Sequence, residues 1–179
     1  MVDYNFKEIR PMMQIVANEL KEIEFDSVLE IGCGCGENLA AIERTFKDKK
    51  IMGVDVNLER LDIARKNTNV ELYWADINDL EIADKSFDVV FTNALFCMLR
   101  PEEIEHGIKE MVRIAKKYLI LIELNSPMRF GKTGADRTGA DWKQLFKELG
   151  SEAKLKKIPA DVWGVSPWLR DGYIITVKL

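Results

Sequence analysis

The sequence predicts an α/β fold: a doubly wound, mostly parallel seven-stranded sheet with helices on both faces and an antiparallel edge hairpin at the C-terminus. Two observations carry this prediction. Apolar runs typical of buried strands alternate along the chain with amphipathic runs typical of helices. The run YLILIEL at 118–124 shows no alternating polar face, which is the pattern of an interior strand covered on both sides.

Seven short segments rich in strand-forming residues supply the strands. They are 28–31, 51–54, 70–74, 87–92, 118–124, 153–158 and 173–177. The first five are separated by helices or tight turns and predict parallel pairing, whereas the last two, joined by 159–171, predict the edge hairpin. In such sheets ligands bind beyond the carboxyl ends of the strands, so the residues just after each strand are the candidates for function.

Three helices have clear start or stop signals. One is predicted within residues 5–22, interrupted or begun at Pro11, and a second begins at Pro101, followed by two acids that suit the helix dipole. Thr138 with Asp141 three residues later predicts the cap of a third. The predicted buried faces are Ile104, Ile108, Met111 and Ala115 in the second helix and Trp142, Leu145, Phe146 and Leu149 in the third, which Gly150 ends.

Composition limits the class of protein. The 179 residues, 47% of them hydrophobic and 31% charged, fit one globular domain and exclude a disordered or fibrous chain. The net charge of −4 disfavours a protein whose main task is to coat nucleic acid. No apolar run approaches the roughly 20 residues that span a bilayer, and no signal peptide is visible. Three cysteines do not make a disulfide framework, so we expect a cytoplasmic protein without membrane contact.

A glycine-rich loop, Gly32-Cys33-Gly34-Cys35-Gly36, follows the first strand. Three alternating glycines let a ligand approach the backbone closely, and the helix after them presents free N–H groups. A dinucleotide fingerprint needs a third glycine where Glu37 stands, and no Lys-Ser or Lys-Thr pair closes a Walker A loop. An acid beside the glycines also disfavours a pyrophosphate. A tight structural turn is the alternative interpretation.

The two cysteines of this loop do not predict a metal site. Structural zinc sites need four ligands with wider gaps than Cys-x-Cys, and the chain has a single histidine, His106. Small side chains in a crowded loop explain Cys33 and Cys35 better.

Carboxylates follow the next two strands. Asp55 ends the second strand, 23 positions after Gly32, where an acid can accept both hydroxyls of a ribose. Asp76 follows the third strand and can accept from an exocyclic amine. A solvated turn is the alternative interpretation of Asp55. Asp76 alone would be weak support for a ligand with an exocyclic amine.

Four motifs in order resemble those of class I S-adenosylmethionine (SAM) methyltransferases. They are 28–36 (VLEIGCGCG), 53–57 (GVDVN), 74–77 (WADI) and 86–90 (SFDVV). Residues 95–100 and 103–121 are similar to the stretch that follows in the small-molecule, type 11 branch. The resemblance covers about residues 25–125 and implies a Rossmann-like fold, methyl transfer, and SAM as cofactor with S-adenosylhomocysteine as its product.

The resemblance also implies residue roles. The backbone of the glycine loop passes under the methionine part of SAM, Glu30 lies near its ammonium group, and Asn93 approaches it by its backbone. Asp55 holds the ribose hydroxyls and Val56 packs on the adenine, whose edge is contacted by Asp76 and the Ile77 backbone. The implied cofactor-binding residues are Glu30, Gly32, Cys33, Gly34, Gly36, Asp55, Val56, Asp76, Ile77 and Asn93.

The sequence identifies no catalytic residue. The type 11 branch often has histidines after the fourth strand, whereas residues 95–99 here read LFCML. His106 falls inside a predicted helix, where a surface or packing role is expected, and Cys97 has no visible activating partner. The fourth strand is not followed by Asn-Pro-Pro-Tyr, which disfavours methylation of an amino group on a base or glutamine.

Three segments are predicted to contact the substrate: the N-terminal helix, the loop 125–139 and the loop 159–171. The first loop carries Arg129 and Arg137, which can pair with an anionic substrate, and three glycines that suit a lid. The second contains Trp163, Trp168 and Arg170. An ordinary solvated loop is the alternative.

The sequence therefore predicts one domain, with residues 1–24 covering the site, 25–125 forming the SAM-binding core and 126–179 the substrate-side half. Its predicted function is SAM-dependent methylation of a small molecule. A SAM-binding regulatory or partner subunit and an RNA methyltransferase, suggested by a short lysine strip at 154–157, stay as alternatives. A nicotinamide oxidoreductase is disfavoured by Glu37. Homodimer formation is left open.

Overall fold

One seven-stranded sheet organises the structure, a computed structural model that describes residues 10–134 and 136–179. The strands are β1 (Ser27–Ile31), β2 (Lys50–Asp55), β3 (Glu71–Trp74), β4 (Phe87–Asn93), β5 (Ala115–Leu124), β6 (Gly131–Lys132), β7 (Thr138–Gly139), β8 (Ala153–Lys157) and β9 (Gly172–Lys178). The order in the main sheet is β3-β2-β1-β4-β5-β9-β8, and β6 pairs separately with β7.

The first five strands pair in parallel, and β9 pairs antiparallel with both β5 and β8. The predicted doubly wound sheet with its antiparallel edge hairpin is therefore confirmed. The chain runs from β1 outward to β3 and then returns to place β4 beside β1. This reversal opens a crevice at the carboxyl ends of β1 and β4, where ligands bind in such sheets.

Helices cover both faces of the sheet. They are α1 (Gln14–Leu20), α2 (Glu37–Thr45), α3 (Leu58–Asn67), α4 (Pro101–Ile114), α5 (Trp142–Glu148) and α6 (Trp168–Asp171), with 3-10 turns at Pro11–Met13 and Phe96–Met98. The helix predicted at 5–22 is confirmed from Pro11 onward, and its first five residues lie outside the described ranges. Within those ranges no helix combines the length and apolar character needed to cross a bilayer.

Alternating strand residues build two cores, one on each face. On one face Leu29 and Val90 pack with α4 and α5, and on the other Val28 and Val89 pack with α1, α2 and α3. Because both faces are covered, β1 and the central part of β4 are fully buried. These strands form the rigid floor from which the site residues emerge.

Three details of the predicted helices are wrong. Ala115 is buried but begins β5, because α4 ends at Ile114. Thr138 lies in β7, and the cap of α5 is Asp141, whose Oδ1 accepts a hydrogen bond from Gln144 N at 3.1 Å. Pairing of Thr138 with Lys132 in the hairpin takes it out of reach of the helix start. Leu149, which was predicted to be buried, is 37% exposed because it follows the last turn of α5. Trp142 and Phe146 are buried as predicted.

Candidate functional site

A cleft of about 760 Å³ opens at the carboxyl ends of β1 to β4. It is lined by nine of the ten residues that the sequence implies for the cofactor, namely Glu30, Gly32, Cys33, Gly34, Asp55, Val56, Asp76, Ile77 and Asn93. The tenth, Gly36, lies behind the loop, where an added Cβ would approach Ala64 Cβ and Thr68 Cγ2 at 3.0 Å. Gly36 therefore permits close packing of the loop on α3. What these residues bind remains a prediction.

The glycine loop has the backbone shape that only glycine adopts without strain. Gly32, Gly34 and Gly36 have φ values of +77°, +52° and +81°. The N–H groups of Gly32 and Cys33 donate to Val54 O at 2.8 and 3.0 Å, which ties the loop to the end of β2. A Cβ added to Gly34 would have no neighbour within 4 Å, so this stretch of backbone faces open space.

Asp55 ends β2 and joins the loop to the opposite wall of the cleft. Its Oδ2 accepts from Gly34 N at 2.7 Å and its Oδ1 accepts from Asn57 N at 2.8 Å. A carboxylate offers about four acceptor positions, so two backbone donors leave capacity for two more. The side chain is held in place and can still accept from a pair of ligand hydroxyls.

A buried polar group lies on the floor of the cleft. Glu30 is 1% exposed, and its Oε1 accepts from Asn38 Nδ2 at 2.6 Å. Asn93 Nδ2 in turn donates to Asn38 Oδ1 at 3.1 Å. Within the described residues, two acceptors of this group, Glu30 Oε2 and Asn93 Oδ1, have no hydrogen-bond partner. A ligand with hydrogen-bond donors would satisfy both atoms, since buried polar atoms are rarely left unpaired.

Burial also changes the ionisation of Glu30. Loss of water around its carboxyl raises its pKa to about 8, against the opposing hydrogen bond from Asn38 and with a smaller contribution from the negative charge of Asp55. A cation in the cleft would favour the ionised form. Asn38 was missed in the sequence, and its position in the first turn of α2 after the glycine loop is the signal that could have identified it.

The opposite end of the cleft lies beside β3. Asp76 Oδ1 accepts from Asn78 N at 2.8 Å and from Asn78 Nδ2 at 2.9 Å, and its second oxygen accepts from none of the described residues. Val56 is 58% exposed in this wall, and its carbonyl oxygen accepts from Trp74 Nε1 at 2.9 Å. Ile77 is buried beneath. An apolar surface beside polar edge groups suits a flat heterocycle.

Glu123, near the end of β5, is also a buried acid. Unlike Glu30, it was missed in the sequence. It accepts from the backbone N–H groups of Leu95, Phe96 and Cys97 at 2.8, 3.0 and 3.2 Å and from Thr92 Oγ1 at 3.3 Å. Burial raises its pKa to about 7, against these four hydrogen bonds. The carboxylate fixes the turn after β4, part of which lines the cleft. The sequence signal that could have identified Glu123 is the presence of an acid in an otherwise apolar strand.

We expect Glu123→Ala to destabilise the folded protein by about 1–3 kcal/mol at pH 5, because loss of the carboxyl group leaves the buried backbone donors of the turn without an acceptor, and at this pH the cost of ionising Glu123 is small. Urea unfolding of the variant beside Glu22→Ala, which removes an exposed acid from the surface, measures this difference. Equal stability of the two variants would show that the turn does not depend on the carboxylate.

The three segments predicted to contact the substrate each reach the cleft. Met12 and Met13 come from the first 3-10 turn, Arg137 from the loop 125–139 and Trp163 from the loop 159–171. Trp163 stacks on Trp168 with ring centres 4.0 Å apart. Arg129 instead pairs with Glu105 and Glu148 outside the cleft. The lid role of the loop 125–139 stays a prediction.

The cysteines and the histidine show no sign of nucleophilic or metal chemistry. Cys97 is 4% exposed, and burial raises the pKa of its thiol to about 12, although Arg137 Nη1 lies 3.6 Å from its Sγ. Burial also raises the pKa of Cys33. His106 is exposed on α4, away from the cleft lining. Across residues 10–134 and 136–179, no three His, Cys, Asp or Glu side chains are grouped to hold a metal ion.

Part of the chain is similar to proteins of known class. Residues 28–118, just over half of the chain, match the family model described as a methyltransferase domain. The fatty-acid O-methyltransferase of Mycolicibacterium smegmatis is 35% identical over 72 residues, which are 38% of this chain and 26% of that protein. An O-methyltransferase of Pyrenophora dematioidea is 26% identical over 152 residues, 80% of this chain and 55% of that protein. The chain thus spans about a quarter to a half of these relatives.

Solved structures share the fold. A protein from Pyrococcus horikoshii superimposes with a TM-score of 0.71 at 20% identity, covering 99% of this chain and 93% of that one. A SAM-dependent methyltransferase from Aquifex aeolicus superimposes with a TM-score of 0.68 at 20% identity, covering 93% and 89%. At this identity the likeness concerns the architecture of the sheet and its helices.

Proposed function

The chain belongs to the methyltransferase-domain family, and we propose that it is a SAM-dependent methyltransferase acting on a small molecule in the cytoplasm. One observation carries this proposal. The buried, partnerless acceptors of Glu30 and Asn93 share a cleft with the held carboxylate of Asp55. An ammonium and a sugar diol are the donors that fit these two positions, and SAM carries both.

The residues present fit the cofactor along the length of the cleft. Glu30 and Asn93 would accept from the ammonium group, and Asp55 would accept from the ribose hydroxyls. Val56 would pack on the adenine, with Asp76 and the Ile77 backbone at its edge. The open space beside Gly34 leaves room for the methionine part.

SAM supplies a methyl group on a sulfonium, which is already activated for transfer. The chain's own contribution is to hold an acceptor in line with that methyl group and to exclude water. Positioning of this kind is worth roughly 7–11 kcal/mol of barrier. In this proposal residues 25–125 hold the cofactor, residues 1–24 cover it, and residues 126–179 supply the acceptor side.

The alternative is a SAM-binding subunit that transfers no methyl group itself. One similar structure, with a TM-score of 0.70 at 20% identity, is a Haloferax volcanii putative methyltransferase in complex with the Trm112 methyltransferase activator. A need for such a partner would make this chain inactive alone and active in a complex.

A ligand screen tests the proposal. We expect SAM and S-adenosylhomocysteine to raise the melting temperature and NAD and ATP to leave it unchanged. Incubation with SAM and a small-molecule extract of cells should then release S-adenosylhomocysteine. Stabilisation by NAD or ATP alone, or by none of the four, would overturn the proposal, and SAM binding without turnover would favour the alternative.

A further inference from the structure

The guanidinium of Arg137 lies in the cleft wall, and among the described residues its side-chain contacts are with sulfur. Its Nη1 lies 3.6 Å from Cys97 Sγ and also contacts Met98 Sδ. Six other arginines each pair with a carboxylate, namely Arg10, Arg65, Arg100, Arg113, Arg129 and Arg170. In the part of the chain that the structure describes, no acid forms an ion pair with Arg137. Since thiol and thioether sulfur are weak acceptors, most of its five donors are left for a ligand.

Apolar groups line the cleft together with Arg137. Met98, which contacts Arg137, is 65% exposed, and Leu95, Leu99, Met12 and Trp163 line the same cleft. Arg60 also lines it, from α3. Arg137 of the loop 125–139 thus places its guanidinium against the turn that follows β4, in a cleft that methionine, leucine and indole groups also line. Such a surface suits an anion attached to an apolar body.

No group on this wall is suited to remove a proton. Among the described residues, the cleft lining contains no histidine, tyrosine or lysine. Of the five acids in that lining, Glu30, Asp55 and Asp76 belong to the proposed cofactor site, Glu103 pairs with Arg100, which lowers the pKa of that acid, and Glu37 pairs with Arg10. Burial of Cys97 keeps its thiol protonated. The geometry therefore favours an acceptor that is a nucleophile without losing a proton.

We propose that the acceptor is a small carboxylate with an apolar body, held by Arg137 and methylated on a carboxylate oxygen. This proposal rests on the proposed methyltransferase function. One oxygen pairs with the guanidinium, and a lone pair of the other forms the new O–C bond to the methyl carbon. The C–S bond breaks and its electron pair stays on sulfur. The products are a methyl ester and neutral-sulfur S-adenosylhomocysteine, and no proton moves.

Matched acids and amides test the proposal on the protein loaded with S-adenosylhomocysteine. The probes are phenylacetate and octanoate, each beside its primary amide. We expect at least one acid to bind about 10- to 100-fold more tightly than its amide. Arg137→Gln should remove that preference. Lys132→Gln, which removes an exposed cation from the same hairpin, should keep it. With SAM, the acid that binds should yield its methyl ester and S-adenosylhomocysteine in equal amounts.

Four results would overturn the proposal while SAM binding by the wild-type protein stands. The acids bind no better than the amides, or the Arg137→Gln protein keeps the preference, or the methyl group appears on another atom. If Arg137→Gln weakens S-adenosylhomocysteine as much as the acid, Arg137 holds the cofactor and the proposal is also wrong. Failure of the wild-type protein to bind either SAM or its product would instead refute the proposed function itself.

Discussion

Asp55→Ala is expected to abolish the thermal stabilisation that SAM and S-adenosylhomocysteine give the wild-type protein. Its carboxylate is the acceptor positioned for the ribose hydroxyls, and hydrogen bonds to a charged group contribute about 1.5–3 kcal/mol each. Loss of two such bonds weakens binding about 100-fold or more. At a concentration 100 times the wild-type Kd, the ligand stabilises the wild-type protein by about 2.7 kcal/mol. The same concentration would stabilise the variant by about 0.4 kcal/mol.

The measurement is the ligand-induced shift of each protein relative to its own ligand-free melting temperature. This reference is needed because Asp55 also accepts from Gly34 N and Asn57 N, so the substitution lowers the stability of the ligand-free fold. For a chain of this size, about 2.7 kcal/mol corresponds to a shift of several degrees. Asp62→Ala, which removes an exposed acid from α3, should keep the full shift. A full shift in a folded Asp55→Ala protein would refute the ribose assignment.

Much of this site could be predicted because it follows a local rule. Asp55, Asp76 and Asn93 each stand where an apolar strand ends, and the parallel sheet brings those ends to one edge. The same rule located Gly32 and Gly34 at the end of β1. The order of the strands then decides which ends meet. The alternation of strands and helices predicted a doubly wound sheet with an edge hairpin, and the order itself comes from the structure.

Some contacts of the site join residues that are far apart along the chain. Glu123, which was missed, accepts from Thr92 and from the turn after β4, about 30 positions earlier. Arg137 was predicted only as a loop arginine that can pair with an anionic substrate, and its contact with Cys97 spans 40 positions. Neither contact has a signature in the spacing of residues. The error at Thr138 has a different origin, since two residues competed for one cap and the β6–β7 hairpin decided between them.

Glu30 should make the ligand-free protein less stable as the pH rises. Its pKa is about 8 in the folded protein, against an ordinary value of 4.5. Between these values the folded protein holds a proton that the unfolded chain has released. The stabilisation is therefore complete below pH 4.5 and lost as the pH rises to about 8, by up to about 1.4 kcal/mol per pH unit. Glu123, with a pKa of about 7, contributes with the same sign over a narrower range.

Glu30→Gln removes this titration and keeps an oxygen for Asn38 Nδ2. We expect the variant to gain stability over the wild type between pH 5 and pH 8, on the order of a few kcal/mol. Urea unfolding at four pH values across that range measures the gain. Glu59→Gln, an exposed acid on α3, should follow the wild-type profile. A variant whose stability falls with pH as steeply as the wild type would show that Glu30 is not the group that titrates.

The same substitution should weaken the cofactor. The ammonium of SAM needs the ionised carboxylate, so binding at pH 7 expels the proton from Glu30, and the wild-type Kd should fall between pH 6 and pH 8 by up to about tenfold per unit. The amide of Glu30→Gln offers no charge, and the variant should bind weakly with little dependence on pH. Calorimetry in two buffers of different ionisation enthalpy counts the released proton. Tight binding by the variant, or no proton release by the wild type, would show that the ammonium lies elsewhere and that burial of this acid serves the fold alone.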